Sequence, residues 1–237
     1  MDSLLITRLR SAGCVFAEEE ASLLREAATD DADLERMVRA RIGGEPLEYV
    51  VGFADFCGVR VALDRGVFIP RQRTEALVRI AASLAPPDPT VLDLCCGSGA
   101  LGLVFAVLRP DADVHAADID PLAVANARRN LPRVYEGDLF AGVPAGLRFD
   151  LVLANVPYVP TAELALMPVE AREHEPVATH DGGADGLAVL RRVLADAPAW
   201  LRPGGCVLFE VAEAQRPALD GLRLETCGDT TVAIATY

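Results

Sequence analysis

The chain has 237 residues, 51% of them hydrophobic, which is enough to bury a substantial core. Its formal charge of −13 repels phosphate backbones, so the composition argues against sequence-independent nucleic-acid binding and favours a protein or small molecule as partner. The longest apolar stretch, residues 100–108, is far shorter than the roughly twenty residues that span a bilayer, so no membrane segment is predicted.

The N-terminus and the cysteines indicate the compartment. Asp2 stands where a secretory signal would carry a basic residue, and no small-residue cleavage site follows a long apolar core, so we expect a cytoplasmic protein. The six cysteines have no C-x-x-C spacing and no histidine cluster beside them. The sequence therefore predicts no metal site and reduced cysteines in the core.

The first third of the chain is predicted to be helical and then to form a linker. Leucines at helical spacing predict a small helical lobe over residues 1–42, which the Gly43-Gly44-Glu45-Pro46 segment ends. Alternation from Phe56 to Leu63 predicts a hairpin, and a helix is predicted from Thr74 to Leu84. We assign residues 43–85 to this hairpin linker and connecting helix.

Residues 86–237 are predicted to form one α/β domain. After the rigid Pro86-Pro87-Asp88-Pro89 spacer, strands and helices alternate. Strands are predicted near 90–95, 113–118, 133–137, 149–155, 205–211, 222–227 and 231–236, and helices near 99–108, 121–130, 185–200 and 213–220. The pattern predicts a doubly wound sheet whose last two strands form an antiparallel hairpin.

A glycine-rich turn follows the first strand of this domain. The turn runs through Cys95, Cys96, Gly97, Ser98 and Gly99, and its glycines would let the backbone approach a ligand closely. The acidic Asp93 at the strand end could bind a positively charged or hydroxyl-bearing group. A dinucleotide site would need G-x-G-x-x-G, and because Cys95 occupies the first glycine position, a nicotinamide cofactor is disfavoured.

Acidic residues end the next two strands. A carboxylate at Asp118 could accept two hydrogen bonds from a ribose diol, whereas Asp118 or Asp120 could instead cap the helix that begins at Pro121. We assign Asp118 to the ribose and Asp120 to the cap. Asp138 ends the third strand, where an adenine amino group would be reached, and the alternative is a turn aspartate.

The tetrapeptide Asn155-Val156-Pro157-Tyr158 ends the apolar strand at 149–155. It combines an amide, a free backbone carbonyl, a rigid proline and an aromatic ring at the edge where an α/β sheet opens its crevice. These groups suit the binding of a flat amide or amine. The alternative is a strand-ending turn, because Asn and Pro favour turns.

Two further segments complete an ordered set of motifs, namely residues 68–75 (Phe-Ile-Pro-Arg-Gln-Arg-Thr-Glu) and Glu175-Pro176 followed by residues 181–187 (Asp-Gly-Gly-Ala-Asp-Gly-Leu). Together with the motifs above they resemble class I S-adenosylmethionine-dependent methyltransferases, which have a seven-stranded Rossmann-like sheet. Within this class the chain is similar to the protein-glutamine methyltransferases that modify bacterial release factors. The segment at residues 45–52 also resembles the linker of that family.

The resemblance implies a role for each motif. The turn at residues 95–99 would hold the methionine part of S-adenosylmethionine, Asp118 the ribose, and Asp138 with Leu139 the adenine. Asp93 and Asn155 are also assigned to the cofactor site. Asn155, Val156, Pro157 and Tyr158 would hold the substrate glutamine.

The chain departs from the family pattern in four ways. Val156 replaces the first proline of N-P-P-Y, and Cys95 replaces a glycine, which fits only if the local backbone is not left-handed. Gln72-Arg73 replaces a Pro-acid pair and adds positive charge beside the substrate path. The helical lobe, where a protein substrate would be recognised, is also short.

The sequence thus predicts a methyltransferase acting on a protein glutamine, with the Gly-Gly-Gln loop of a peptide chain release factor as the favoured substrate. One alternative is N-methylation of an exocyclic amine on a nucleic-acid base or small metabolite. Another is a cofactor-binding partner protein that does not catalyse. We expect a monomer that binds neither membranes nor nucleic acid directly.

Overall fold

The computed structural model describes residues 2–228 and 230–237. Four helices open the chain: α1 (Asp2–Ser11), α2 (Ala17–Ala27), α3 (Asp31–Ile42) and α4 (Leu47–Val51). Their buried faces share one apolar cluster that includes Leu9, Leu24, Met37 and Val50. The four helices therefore pack together, and α4, which follows the Gly43-Gly44 break, packs onto the three helices before it.

A hairpin follows the four helices. Strands β1 (Phe53–Phe56) and β2 (Val59–Ala62) pair antiparallel through a two-residue turn. Both turn residues have positive φ, 54° at Cys57 and 76° at Gly58, as a twisted two-residue hairpin requires. The connecting helix α5 (Glu75–Leu84) then leads to the large sheet.

The large sheet has seven strands in the order β5-β4-β3-β6-β7-β9-β8. The strands are β3 (Thr90–Leu94), β4 (Asp113–Asp118), β5 (Val134–Glu136), β6 (Phe149–Ala154), β7 (Leu201–Val211), β8 (Arg223–Cys227) and β9 (Thr230–Thr236). β3 to β7 run parallel, and β9 is antiparallel to both β7 and β8. The seven-stranded Rossmann-like sheet and its final antiparallel hairpin are confirmed.

The remaining helices are α6 (Ala100–Leu108), α7 (Pro121–Ala127), α8 (Val169–His174) and α9 (Ala188–Asp196). α9 is shorter than the predicted 185–200 because a 3₁₀ turn containing Pro198 follows it. The helix predicted at 213–220 is a 3₁₀ helix, since Pro217 lies inside it and cannot donate an α-helical hydrogen bond. No pattern predicted α8, which lies within a long connection between β6 and α9.

The core lies in two layers, one on each face of the sheet. One apolar cluster joins α5, α6 and α7 to the sheet, and the other joins α9 to the opposite face. Because β3, β4 and β6 are parallel neighbours, their carboxyl ends meet at one edge of the sheet. None of the helices described in residues 2–228 and 230–237 is long and apolar enough to span a bilayer.

Candidate active site

A cavity of about 660 Å³ opens at the carboxyl ends of β3, β4 and β6. This volume is within the range of small-molecule and cofactor sites. Its walls are the glycine-rich turn, the end of β4, the tetrapeptide, the segment before α5 and the segment around α8. The predicted site residues on these walls are Cys95, Cys96, Gly97, Ser98, Asp118, Asn155, Val156, Pro157 and Tyr158.

The glycine-rich turn bends sharply between β3 and α6. Gly97 and Gly99 have φ of 53° and 77°, which glycine adopts without steric cost. Cys95 has φ of 57°, so the family's glycine position is left-handed here and the cysteine is held in a strained conformation. Burial raises the pKa of both Cys95 and Cys96, so these thiols form a neutral wall of the cavity.

Asp118 lies at the end of β4 and faces the cavity. Its Oδ2 accepts a hydrogen bond from the Gly97 N–H at 2.8 Å, and its Oδ1 accepts one from the Asp120 N–H at 3.0 Å. Burial raises the pKa of this carboxyl, and the two backbone N–H groups oppose that rise. A carboxylate has about four lone-pair positions, so two remain for a diol. Asp120 caps α7, as predicted, by accepting from the Leu122 N–H at 2.9 Å.

If Asp118 binds the ribose, as the sequence predicts, Asp118→Ala should weaken cofactor binding by about tenfold to a hundredfold, because the two hydrogen bonds that the diol would donate to the carboxylate would be lost. Calorimetry with S-adenosylmethionine measures the dissociation constant. The matched control is Asp113→Ala, which removes an aspartate from the opposite end of β4 and should leave affinity unchanged. Equal effects of the two substitutions would remove Asp118 from the cofactor site.

Asp93 and Gly99 lie outside the cavity lining. Asp93 is fully buried, and its Oδ2 accepts a hydrogen bond from the Gly102 N–H in the first turn of α6 at 2.8 Å. Its Oδ1 is buried without a hydrogen-bond partner among the residues that the structure describes. Burial raises the pKa of Asp93 to about 8. In this position Asp93 satisfies one of the N–H groups that the first turn of α6 leaves without a helical partner.

The raised pKa of Asp93 has a consequence for stability. Because the folded value of about 8 lies above the unfolded value of about 3.9, the folded state holds the proton more tightly, and stability falls as pH rises between those values. Asp93→Asn carries no such proton. We therefore expect the unfolding free energy of the variant, relative to wild type, to rise by at least about 1 kcal/mol from pH 5 to pH 8 in urea titrations. Parallel pH profiles would contradict this expectation.

Asp138 and Leu139, assigned to the adenine, also lie outside the cavity lining. The Asp138 side chain is exposed, and its Oδ2 accepts from Arg192 Nη2 at 2.6 Å. Leu139 is buried and has φ of 51°. The structure therefore brings together the turn, Asp118 and the tetrapeptide, but it does not bring these two residues to the same wall.

The tetrapeptide follows β6 directly, and all four of its residues line the cavity. Within the described chain, the Asn155 side-chain amide and the Val156 carbonyl have no hydrogen-bond partner, so both can bind a ligand. Val156 is 4% exposed and packs into the apolar cluster beneath the sheet. Burial thus restrains the loop at the position where the family has a proline.

Residues 181–187 support the tetrapeptide from behind. The Val159 N–H donates to the His180 carbonyl at 2.9 Å, and the Gly182 N–H donates to the Val159 carbonyl at 2.8 Å. Gln215 Nε2 donates to the carbonyls of Tyr158 and Gly186, at 2.9 and 3.2 Å. No sequence motif marks Gln215 as part of the site, because it is a single glutamine in the segment after β7.

An ion pair between a buried carboxylate and a half-buried arginine forms another wall of the cavity and joins two of the quoted motifs. Glu175 is buried, and its two carboxylate oxygens accept from Arg71 Nη2 at 2.7 and 2.6 Å. His180 Nε2 lies 2.9 Å from the same carboxylate, and the Ile69 N–H donates to it at 3.3 Å. These contacts connect the segment around α8 to the segment before α5 and so hold these two walls of the cavity together.

The Tyr158 hydroxyl contacts Arg73, one of the two residues that replace the family's Pro-acid pair. Arg73 Nη2 donates to the Tyr158 hydroxyl, and Arg73 Nε donates to Glu210 Oε1 at 2.8 Å. Burial and the Glu210 carboxylate raise the pKa of Tyr158 and outweigh the lowering by Arg73, so its hydroxyl is protonated at neutral pH. Glu210 lies next to the last residue of β7, Val211, and no sequence pattern marked it as part of the site.

The sheet order, the glycine-rich turn and the acid at the end of β4 define a class I S-adenosylmethionine-dependent methyltransferase, and S-adenosylmethionine is its cofactor. The cavity volume and the two lone-pair positions left on Asp118 fit this molecule. A family described as "Methyltransferase small domain" matches residues 59–170. Three proteins named release factor glutamine methyltransferase are 37% to 39% identical to this chain, so the chain belongs to that family.

The release factor glutamine methyltransferase of Geobacter sulfurreducens is 39% identical over 193 residues, which cover 78% of this chain and 67% of that protein. The relative from Cereibacter sphaeroides is 37% identical over 211 residues, covering 86% and 74%. The relative from Gloeobacter violaceus is 38% identical, and the aligned part covers 73% of this chain and 64% of that protein. The chain thus spans about two thirds to three quarters of the length of these three relatives.

Solved structures show the same fold at low identity. A 16S rRNA N2 G1207 methyltransferase of T. thermophilus, in complex with AdoMet and guanosine, has a TM-score of 0.55 at 21% identity, covering 78% of this chain and 49% of that one. A ribosomal protein L11 methylase of Lactobacillus delbrueckii subsp. bulgaricus has a TM-score of 0.52 at 20% identity, covering 74% and 84%. At these identities the likeness concerns the fold alone.

Proposed function

We propose that this protein transfers a methyl group from S-adenosylmethionine to the side-chain amide nitrogen of a protein glutamine, in the Gly-Gly-Gln loop of a peptide chain release factor. The observation that carries the proposal is the pair of free acceptors, the Asn155 side-chain oxygen and the Val156 carbonyl, beside Tyr158 on the cavity wall. Family membership supports the same substrate.

The chemistry of an amide explains why such a pair is needed. The lone pair of an amide nitrogen is delocalised, so this nitrogen is a poor nucleophile and must be aligned with the electrophile. When bound, the cofactor supplies a methyl group made electrophilic by a sulfonium. The Asn155 oxygen and the Val156 carbonyl would accept the two amide hydrogens, which fixes the nitrogen and stabilises the positive charge that develops on it.

The other groups of the site would orient and enclose the substrate. The Tyr158 ring would pack on the amide plane, and Pro157 would keep the loop rigid. No protein nucleophile is needed, because the cationic nitrogen can lose its proton after transfer. On the cofactor side we propose Asp118 for the ribose and the turn at 95–99 for the methionine part. Asp93, Asp138 and Leu139 lie outside the cavity lining, so their assignments to the cofactor site stay predictions from the sequence.

The substrate would be a protein bound by a single chain in the cytoplasm. We propose that the enzyme acts as a monomer. The helical lobe of α1 to α4 would contact the release factor. The net charge of −13 disfavours nucleic acid as the substrate, which leaves the exocyclic-amine alternative weaker.

The test is methyl transfer from labelled S-adenosylmethionine to a purified release factor and to its Gln→Ala variant in the Gly-Gly-Gln loop, followed by peptide mass spectrometry. We expect label on the wild-type loop and none on the variant. Equal labelling of both proteins would refute the glutamine as acceptor. Label on free nucleosides or amines, with none on the release factor, would support the alternative.

A further inference from the structure

Arg73 makes two directed contacts with one edge of its guanidinium group. Its Nε donates to Glu210 Oε1 at 2.8 Å, and its Nη2 donates to the Tyr158 hydroxyl. Donors on the same edge of a guanidinium are coplanar and have a fixed separation. The position of the Tyr158 hydroxyl is therefore coupled to the position of the Glu210 carboxylate.

Glu210 provides a rigid anchor for this edge. It lies in β7, its side chain is 7% exposed, and its second oxygen accepts from the buried Thr74 hydroxyl at 2.8 Å. The Arg73 carbonyl in turn accepts from the Thr230 hydroxyl at 3.0 Å. Both ends of Arg73 are thus fixed to the sheet, although its side chain is 57% exposed on the cavity side.

Tyr158 is held at its other end as well. Its carbonyl accepts from Gln215 Nε2 at 2.9 Å, so its backbone cannot shift without breaking that bond. The Arg73 guanidinium carbon lies 6.0 Å from the centre of the Tyr158 ring. With its carbonyl and its hydroxyl both held, the ring has one preferred orientation over the cavity.

We propose that Arg73 is a positioning residue that, anchored by Glu210, sets the orientation of the Tyr158 ring against the substrate amide. This inference rests on the proposed function, in which Tyr158 packs on that amide. The family pattern has an acidic residue at this position, and a carboxylate cannot donate to a phenol oxygen. In this chain Arg73 therefore donates a hydrogen bond to the Tyr158 hydroxyl, which an acidic residue at that position could not donate.

A double-mutant cycle tests the proposal in the full-length enzyme. Arg73→Met and Tyr158→Phe remove opposite sides of the same hydrogen bond, so each should lower kcat by about tenfold while cofactor affinity stays within about twofold. The double variant should be no more than about twofold slower than the slower single variant. Losses that multiply to about a hundredfold would overturn the coupling.

Arg79→Met is the matched control. Arg79 is also 57% exposed and also pairs with a glutamate, Glu75, but it lies away from the cavity lining. Its substitution should leave kcat unchanged. Arg73→Lys keeps the positive charge without the planar edge, so we expect its kcat to lie between those of wild type and Arg73→Met. Wild-type kcat in Arg73→Lys would overturn the role of the planar guanidinium edge, because the positive charge alone would then be enough to keep the rate.

A spectroscopic measurement tests the contact without methyl transfer. The chain has four tyrosines, so 3-fluorotyrosine labelling and ¹⁹F NMR resolve them, and Tyr158→Phe assigns the Tyr158 signal. Burial raises the pKa of Tyr158 most and the Glu210 carboxylate raises it further, whereas Arg73 and Arg71 lower it. Arg73→Met should therefore move the Tyr158 titration to higher pH, and Arg79→Met should not.

The two readouts separate the inference from the proposed function. An unchanged Tyr158 titration in Arg73→Met would refute the contact whatever the substrate. A shifted titration in a protein that does not methylate the release factor would leave the contact intact and refute the proposed function instead.

Discussion

Asn155→Ala is expected to lower kcat by at least about a hundredfold and to leave the dissociation constant of S-adenosylmethionine within about threefold of wild type. The substitution removes an acceptor that is free in the cavity and that would hold an amide hydrogen only while substrate is bound. The other proposed acceptor, the Val156 carbonyl, belongs to the backbone and remains. Single-turnover rates and calorimetry on the same preparation measure the two quantities.

Gln72→Ala is the control for this substitution. It also removes an amide side chain near the site, but Gln72 Nε2 donates to the Asp55 carbonyl at 2.6 Å and lies outside the cavity lining. We expect its kcat to stay near wild type. If Asn155→Ala strongly weakened S-adenosylmethionine binding and left kcat unchanged, Asn155 would be a cofactor residue and the proposed division of roles between Asn155 and Asp118 would be wrong.

Gly186→Ala is expected to lower kcat by about a hundredfold, because the added methyl group would occupy the place of a backbone oxygen. Gly186 has φ of 75°, and a Cβ on it would overlap the Tyr158 carbonyl and lie 2.6 Å from Gln215 Nε2. The Gly186 and Tyr158 backbones can separate only if the tetrapeptide moves. A displacement of about 1 Å at a positioned group is enough for a loss of this size.

Gly221→Ala separates the clash from backbone strain. Gly221 has φ of 90°, and a Cβ there would meet nothing within 4 Å. In both variants a non-glycine residue in the left-handed region lowers the free energy of unfolding by roughly 1 kcal/mol, which urea unfolding measures. Only Gly186→Ala should also lose turnover. Full activity in Gly186→Ala would show that residues 181–187 do not hold Tyr158 in place.

Local sequence signals predicted most of the sheet. Strands β3 and β6 are buried, largely apolar runs that each end in a turn. The Asp120-Pro121 pair predicted the start of α7 correctly. The helix lengths were less accurate. Pro198 and Pro217 convert the end of one predicted helix and all of another into 3₁₀ turns.

The contacts that shape the site could not be predicted in this way. Arg73 and Glu210 are 137 residues apart, and Gln215 is 57 residues from Tyr158. These contacts form because the strand order brings distant segments together, and a local sequence pattern does not specify the strand order. Asp93 shows the same limit: its place near a strand end was evident, but its direction, into the layer where α6 packs, depends on the tertiary fold.

The most direct test of the account is a crystal structure with S-adenosylhomocysteine and a glutamine-containing Gly-Gly-Gln peptide. We predict the glutamine amide nitrogen within hydrogen-bond distance of both the Asn155 side-chain oxygen and the Val156 carbonyl, with its plane against the Tyr158 ring and its nitrogen directed toward the cofactor sulfur. A glutamine side chain bound elsewhere, with the Asn155 amide turned away from it, would contradict the account.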